Sequence, residues 1–428
     1  MTTKLAALLI LLLFASMGAS NARADAGTAF SYADPQAKAV FLAGGFNDWK
    51  TSATPMLKDA DGAWRVTIPL KPGTYRYKFF VDGRWVPDPA NPAQEDDGLG
   101  GKNSVIDLSA VAPGGLGAEG ESSMRTKIRE TSHETFLAGK YQELDGMAKE
   151  FREKKARLPS GLWKLPLVYG GIYPETPDDA GYKKAFALLD AWIKASPESI
   201  TPRVAKGNLL TDYAWLARGN GYANSVTNEG WLVFGMRLSQ ARQVLDDAGK
   251  LKEKCPEWFT AMQTVALGQG WNSKDYEALY HNAVAFEPTY YDIYFQKAYF
   301  LLPKWNGSVG DWERFAEDAA KNDDPKEGMS IYARVAWAES DEYSDMFKKS
   351  AITWEKMKQG FRDMMMEYPD SQRNLNAFCR FAFLAQDRDT VKELLARIGD
   401  HPDLGGWGQP GIWESAVQWA KTGETGAH

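Results

Sequence analysis

The sequence contains few of the residues that most often carry catalysis or bind metals. Only two cysteines, Cys255 and Cys379, and four histidines occur among its 428 residues. The motifs HExxH, GxSxG, GxxxxGK[ST] and CxxC are all absent, so the signatures of zinc peptidases, serine hydrolases, P-loop proteins and dithiol enzymes are missing. Two cysteines allow one disulfide or two buried thiols, and the sequence leaves both possibilities open. We therefore expect a non-catalytic protein with no cofactor and no metal site.

An excess of positive charge is also missing. Lys and Arg number 50 and Asp and Glu number 56, which gives a net charge of −6. Nucleic acids and anionic membrane surfaces are bound through basic patches. We expect neither of them as a partner.

Long apolar runs are absent except near the start of the chain. There, Lys4 precedes an apolar run over residues 5–15, and Ala22-Arg23-Ala24 follows it. A short apolar run between a positive charge and an Ala-x-Ala site is typical of a secretory signal, and it is too short to span a membrane. The pattern predicts that residues 1–24 are a signal peptide. We expect a periplasmic or secreted protein without a membrane span.

Residues 28–109 have the pattern of β-strands. Short extended runs such as AVFLAGGF, WRVTIPL and NSVIDL alternate with turn residues, which predicts a β-sandwich. Residues 110–123 are rich in Gly and Ser and poor in large apolar side chains, which indicates a linker.

The stretch YKFFVDGRW, residues 77–85, predicts a β-hairpin. Asp-Gly readily adopts the positive φ angles of a type I′ turn, so Asp82 and Gly83 are expected at its tip. Because side chains alternate between the faces of a strand, Lys78, Phe80 and Trp85 share the face opposite the core.

From residue 124 to residue 422 the apolar period becomes helical. Helices are expected to end at five X-Pro pairs, and the intervals between their prolines predict a tetratricopeptide-like helical repeat domain. These pairs are Ser196-Pro197, Cys255-Pro256, Glu287-Pro288, Asp324-Pro325 and Tyr368-Pro369. A dense cluster of aromatic and polar residues is interpreted as packing between helices; its members are Trp215, Arg218, Asn220, Tyr222 and Trp231.

The motifs FLAGGFNDW, PGTYRYKFFVDGRWVPDPANP and LGGKNSV occur in this order between residues 38 and 108. This part of the chain resembles the glycogen-binding domain of the AMP-activated protein kinase β subunit and carbohydrate-binding module family 48. The resemblance implies an early-set immunoglobulin-like sandwich that binds α-1,4-glucans such as glycogen, starch or maltodextrin. The matching positions are Trp49 and Trp85 for stacking on glucose rings, Lys78 and Asn103 for hydrogen bonds to hydroxyls, and Leu99 for insertion into the curve of the glucan.

One position departs from the pattern of the kinase subunit, because Gly101 stands where that family has a hydroxyl residue. The chemistry expected of the other positions agrees with the resemblance. A glucan presents flat CH faces and a rim of hydroxyls, which require aromatic platforms together with polar donors and acceptors.

The helical part resembles an uncharacterised bacterial family through residues 213–238 and 368–387, and this resemblance implies no activity. We therefore interpret the chain as an exported glucan-binding protein whose helical domain is a scaffold for a protein partner. Two alternatives remain at this stage: a scaffold whose sandwich no longer binds sugar, and a cell-envelope enzyme whose acidic residues are not recognisable from sequence.

Overall fold

The computed structural model divides into a β unit, which comprises Ala24–Gly120 and Gly408–Ile412, and a helical unit that includes Glu121–Trp407 and Trp413–His428. Each unit is described by itself. The residues that the structure describes are 28–47, 49–58, 62–68, 70, 74–91, 93–97, 101–107, 120–219, 225–322, 327–400, 402–408 and 411–423.

The β unit contains two antiparallel sheets. One has the strand order β1-β4-β3, and the other has the order β2-β5-β8-β7, with β6 paired to β5. The strands are β1 Thr28–Ala33, β2 Val40–Gly44, β3 Leu57–Lys58, β4 Ala63–Ile68, β5 Thr74–Val81, β6 Arg84–Val86, β7 Gln94–Asp96 and β8 Lys102–Asp107.

Both sheets contribute side chains to one core, so the predicted sandwich is confirmed. Phe30 on β1 and Trp64 on β4 are buried with Leu42 on β2 and with Tyr77 and Phe79 on β5. The alternation of residues along β5 explains this arrangement, because every second side chain points into the core.

The hairpin has the predicted register. Phe80 lies opposite Trp85 and Val81 lies opposite Arg84, while Asp82 and Gly83 have φ angles of 47° and 86°. The Asp82 carboxylate also accepts hydrogen bonds from the backbone N–H groups of Lys38 and Ala39 at 2.9–3.1 Å, and these bonds lower its pKa. The turn is therefore tied to the start of β2.

In the helical unit, helices that are neighbours in the sequence pack against one another, and the most extensive of these contacts joins α5 to α6. Within the described residues the helices are α1 Glu121–Leu137, α2 Tyr141–Glu153, α3 Leu165–Tyr169, α4 Asp179–Ala195, α5 Thr201–Arg218, α6 Asn228–Gly249, α7 Pro256–Gly268, α8 Ser273–Phe286, α9 Asp292–Phe300, α10 Asp311–Asn322, α11 Ser330–Glu339, α12 Met346–Lys349, α13 Trp354–Glu367, α14 Gln372–Leu384, α15 Arg388–Ile398 and α16 Ile412–Thr422.

The first helix begins at Glu121, three residues before the predicted start of the helical domain at residue 124. The reason is a buried contact between Glu121 and Ser160, which the Gly- and Ser-rich composition of residues 110–123 did not predict. The Glu121 side chain is buried, and its carboxylate accepts hydrogen bonds from the backbone N–H and the hydroxyl of Ser160 at 2.8 and 2.7 Å. Glu121 therefore belongs to the helical unit.

Three of the five X-Pro pairs follow a helix end as predicted, at the C-termini of α4, α8 and α13. Cys255-Pro256 is an exception, because Pro256 is the first residue of α7. Proline is well tolerated there, since the N–H that it lacks has no partner within the helix. Residues 324 and 325 lie outside the described part of the chain.

The two cysteines are both buried and both free. Burial raises the pKa of the Cys255 thiol and raises that of Cys379 to about 12, so neither is a reactive thiolate at neutral pH. Among the residues that the structure describes, no helix is long and apolar enough to cross a membrane.

The aromatic and polar cluster joins α5 to α6. The guanidinium of Arg218 lies 5.3 Å from the ring centre of Trp215 and 5.4 Å from that of Trp231, and Trp215 contacts Phe234 edge to face at 4.9 Å. These contacts agree with the packing interpretation. Asn220 and Tyr222 lie outside the described residues.

Candidate carbohydrate-binding site

The outer face of the five-stranded sheet carries a group of three aromatic rings. Trp85 on β6 is 44% exposed. The centre of its ring lies 5.1 Å from that of Phe80 and 6.1 Å from that of Trp49, both in edge-to-face geometry. The structure thus brings together the two tryptophans predicted to stack on sugar, although they are 36 positions apart in the sequence.

Trp49 is positioned by the short 3₁₀ turn at residues 45–47 that follows β2. The Asn47 side chain accepts a hydrogen bond from the Gly44 N–H at 3.0 Å and donates to the Leu42 carbonyl at 2.9 Å and the Thr54 hydroxyl at 3.0 Å. The backbone N–H of Trp49 donates to the Gly44 carbonyl at 3.0 Å. Trp49 itself has a φ of 58°, a conformation that is uncommon for a bulky residue.

Gly44 is required by the close approach of β2 to β5. A Cβ atom at this position would lie 2.5 Å from the Arg76 carbonyl oxygen and 2.8 Å from the Phe46 ring. Only glycine fits this position without a shift of the backbone, and such a shift would move the turn that holds Trp49.

Lys78 lies on β5 and is 8% exposed. Its ammonium group forms an ion pair with Asp97, with 2.5 Å between Nζ and Oδ2. The other carboxylate oxygen of Asp97 accepts the Gly101 N–H at 2.8 Å, and the Asp97 N–H donates to the Gly101 carbonyl at 3.0 Å. The sequence reasoning did not predict this carboxylate partner.

Asp97 also explains why residue 101 is glycine. A Cβ atom there would lie 2.6 Å from Oδ2 of Asp97. The hydroxyl residue of the resembled family does not fit beside Asp97 as it is placed here. The departure at Gly101 and the presence of Asp97 are thus two parts of one local arrangement.

Asn103 lies on β8, opposite Glu95 of β7. It is 9% exposed, and its side chain makes no hydrogen bond to any residue that the structure describes. A side-chain amide has two donors and an acceptor, which suit the hydroxyls of a sugar. The predicted insertion residue Leu99 lies outside the described residues.

Two further contacts stabilise this sheet. Arg76 on β5 forms an exposed ion pair with Glu95 on β7 at 2.6 Å. On the core side of β5, the Tyr77 hydroxyl donates to Asp88 at 2.6 Å and accepts from the Asn91 amide at 3.1 Å. Burial, together with the hydrogen bond to Asp88, raises the pKa of Tyr77, so its phenol stays neutral.

The helical unit contains buried carboxylates. Glu257 on α7 accepts hydrogen bonds from the Tyr290 hydroxyl and the Asn208 amide, and burial raises its pKa to about 7. Among the described residues, no group of three or more His, Cys, Asp or Glu side chains is placed to hold a metal ion.

Two family models match the chain. Residues 27–112 match the glycogen recognition site of AMP-activated protein kinase, and residues 176–269 match a domain of unknown function, DUF4034. The resemblances of both parts of the chain are thereby confirmed.

Curated relatives match the N-terminal part. The human and mouse 5′-AMP-activated protein kinase subunits β-2 are each 41% identical to this chain over 69 residues, which are 16% of this chain and 24% of theirs. The signal transduction protein MDG1 of Saccharomyces cerevisiae is 38% identical over 66 residues, which are 14% of this chain and 18% of that protein. The chain thus spans about a quarter or less of the length of these relatives.

Proposed function

We propose that the protein binds α-1,4-glucans on the outer face of its five-stranded sheet and has no catalytic role of its own. The observation that carries this proposal is the contact between Trp49 and Trp85, with Trp85 exposed to solvent. The amide of Asn103, on β8 opposite Glu95, adds a polar group on the same face. The family match over residues 27–112 supports sugar as the ligand class.

The expected affinity follows from the area of the rings. Covering one face of an indole buries roughly 100 Å², which at about 25 cal/mol per Å² contributes on the order of 2 kcal/mol before the costs of association. Two such platforms with a few hydrogen bonds give micromolar to millimolar dissociation constants. This affinity is sufficient for a polymer that offers many equivalent sites.

Isothermal titration of the full chain with β-cyclodextrin tests the site. Trp85→Ala removes a stacking surface, so we expect binding to weaken by about 1–3 kcal/mol, which is about five-fold to over a hundred-fold. Because Trp85 is 44% exposed, the melting temperature should change little. Leu57→Ala is a matched control, because Leu57 is 63% exposed on β3 of the other sheet; it should leave the affinity unchanged.

Wild-type protein that gives no heat with β-cyclodextrin, or a Trp85→Ala variant with unchanged affinity, would reject the glucan-binding proposal. The scaffold alternative, in which the sandwich does not bind sugar, would then be favoured. Retention of the wild-type chain on insoluble starch gives an independent test of the same point.

We further propose that the protein is exported. The support for export is the signal-like pattern of residues 1–24. Fractionation of producing cells tests it: the mature chain should be found in the periplasm or medium with an N-terminus near Asp25 or Gly27. Recovery from the cytoplasm with Met1 intact would contradict it.

A further inference from the structure

The outer face of the five-stranded sheet is the one on which the sugar site is proposed. Both cations that the central strand β5 places on this face are paired with carboxylates. Strand β5 places Arg76 and Lys78 on this face, and each is ion-paired, Arg76 with Glu95 and Lys78 with Asp97. The two pairs differ in their burial. The Arg76 and Glu95 side chains are 60% and 46% exposed, whereas those of Lys78 and Asp97 are 10% and 11% exposed.

The Lys78–Asp97 pair is fixed in place as well as buried. Asp97 uses one carboxylate oxygen for Lys78 and the other for the backbone N–H of Gly101, and a Cβ atom at position 101 would lie 2.6 Å from the oxygen that binds Lys78. Its position is therefore determined by the backbone and does not depend on the attraction of Lys78 alone.

We infer that Asp97 is a specificity-determining residue of the sugar site, which neutralises Lys78 so that the site selects uncharged glucans over glucans that carry phosphate or carboxylate groups. This inference rests on the proposed function of the same face. Asp97 acts through Lys78, and it is therefore a positioning residue.

The physical reason is the different response of neutral and charged ligands to a paired cation. A largely buried ammonium without a counter-ion attracts any anion within reach, because screening is weak away from bulk water. With a carboxylate 2.5 Å away, most of that attraction is cancelled. A sugar hydroxyl loses little, because an ammonium group has three N–H donors and only one is directed at Asp97.

Titration of the full chain with two ligands tests this inference. The ligands are β-cyclodextrin and β-cyclodextrin 6-monophosphate, which differ by one charged group. Wild-type protein should bind the neutral ligand more tightly.

Asp97→Asn keeps the shape and the acceptor for Gly101 but removes the charge, so it should lower the preference for the neutral ligand by about ten-fold. In about 0.5 M salt the change should shrink, since screening weakens a charge contact but not stacking.

Two further variants separate the role of Asp97 from a change in overall charge. Asp96→Asn alters the net charge by the same amount at the adjacent residue, whose side chain lies on the other face of β7; it should leave the preference unchanged. The double variant Lys78→Gln, Asp97→Asn carries no charge at either position. It should restore the wild-type preference even if its absolute affinity is lower.

The outcomes distinguish the inference from the function on which it rests. If wild-type protein binds neither ligand, both are wrong. If wild-type protein binds β-cyclodextrin but Asp97→Asn has the same preference as wild type, the site binds glucan and Asp97 has no part in its specificity. An equal shift in Asp96→Asn would also overturn the inference, because the effect would then be one of net charge.

Discussion

On the outer face of the five-stranded sheet, the burial of Lys78 determines what its replacement is expected to do to stability. An exposed lysine can be replaced with little effect on folding, whereas Lys78 is 8% exposed and paired with Asp97. Loss of one partner of a buried ion pair leaves the other charge without compensation. If Lys78 is replaced, the carboxylate of Asp97 is the charge that loses its partner. The hydrogen bond from the Gly101 N–H keeps this carboxylate in its buried position.

We therefore predict that Lys78→Met destabilises the β unit by about 2–4 kcal/mol. Scanning calorimetry of the full chain measures this effect as a lower melting temperature for the transition of the β unit. The double variant Lys78→Met, Asp97→Leu removes both charges and should recover most of the loss. An unchanged melting temperature in Lys78→Met would show that water screens this pair.

The roles of individual residues could be predicted from the sequence only at positions that belong to a recognisable family motif. Trp49 and Trp85 belong to two motifs of one resembled family, and the structure brings their rings together. The partner of Lys78 was not predictable, because Asp97 is 19 positions away and reaches it across β8 from the end of β7. The pairing of β5, β8 and β7 must be known before such a contact can be recognised.

Among the elements of the helical unit, α7 contains a carboxylate whose environment disfavours its charged form. Glu257 is 5% exposed. Burial, with a smaller contribution from Asp292, raises its pKa from the ordinary value of 4.5 to about 7, although hydrogen bonds from Tyr290 and Asn208 oppose the shift. Between these two values the folded state holds a proton that the unfolded state has released, so stability falls as the pH rises through this window.

We predict that Glu257→Gln removes this dependence. Between about pH 4.5 and pH 8 the free energy of unfolding of the variant should rise by on the order of 2–3 kcal/mol relative to that of wild type. The reason is that a glutamine amide does not titrate in this range. Urea unfolding across this range, followed by far-UV circular dichroism, measures the gain. As a control, Glu153→Gln alters an exposed carboxylate on α2 and should have no such trend. Parallel curves for wild type and Glu257→Gln would contradict the prediction.

Local elements were more predictable than the contacts between them. Asp82-Gly83 specified the hairpin and its register, because a type I′ turn leaves one pairing of the flanking residues. Residues 157–163, in contrast, contain no sequence motif that would predict which residues they contact. Among them, Ser160 contacts Glu121 of α1, Arg334 of α11 and Asn374 of α14, which are 39, 174 and 214 positions away. Contacts over such separations leave no local pattern.

For the whole molecule, the division into two units was evident from the change of apolar period, because each pattern builds a core of its own. The exact boundary was not evident. A Gly- and Ser-rich composition indicates a linker, but it does not show that Glu121 within it is buried. That glutamate meets Ser160 through two hydrogen bonds, and Arg125 and Arg373 lie within 3.9 Å of its carboxylate.

We predict that a fragment of residues 120–428 folds alone and melts cooperatively, because it contains every α-helix that the structure describes and both partners of the contact between Glu121 and Ser160. A fragment of residues 124–428, which starts at the boundary expected from sequence, lacks Glu121. It should be less stable by about 2–4 kcal/mol, since the Ser160 N–H loses its acceptor and two arginines lose a carboxylate. Circular dichroism during thermal and urea unfolding compares the two fragments.

Glu121→Gln in the longer fragment keeps the acceptor for Ser160 and removes only the charge, so its stability should be intermediate. If the longer fragment lacks a cooperative transition, the helical unit is not independent; if both fragments are equally stable, the Glu121 contact does not stabilise it.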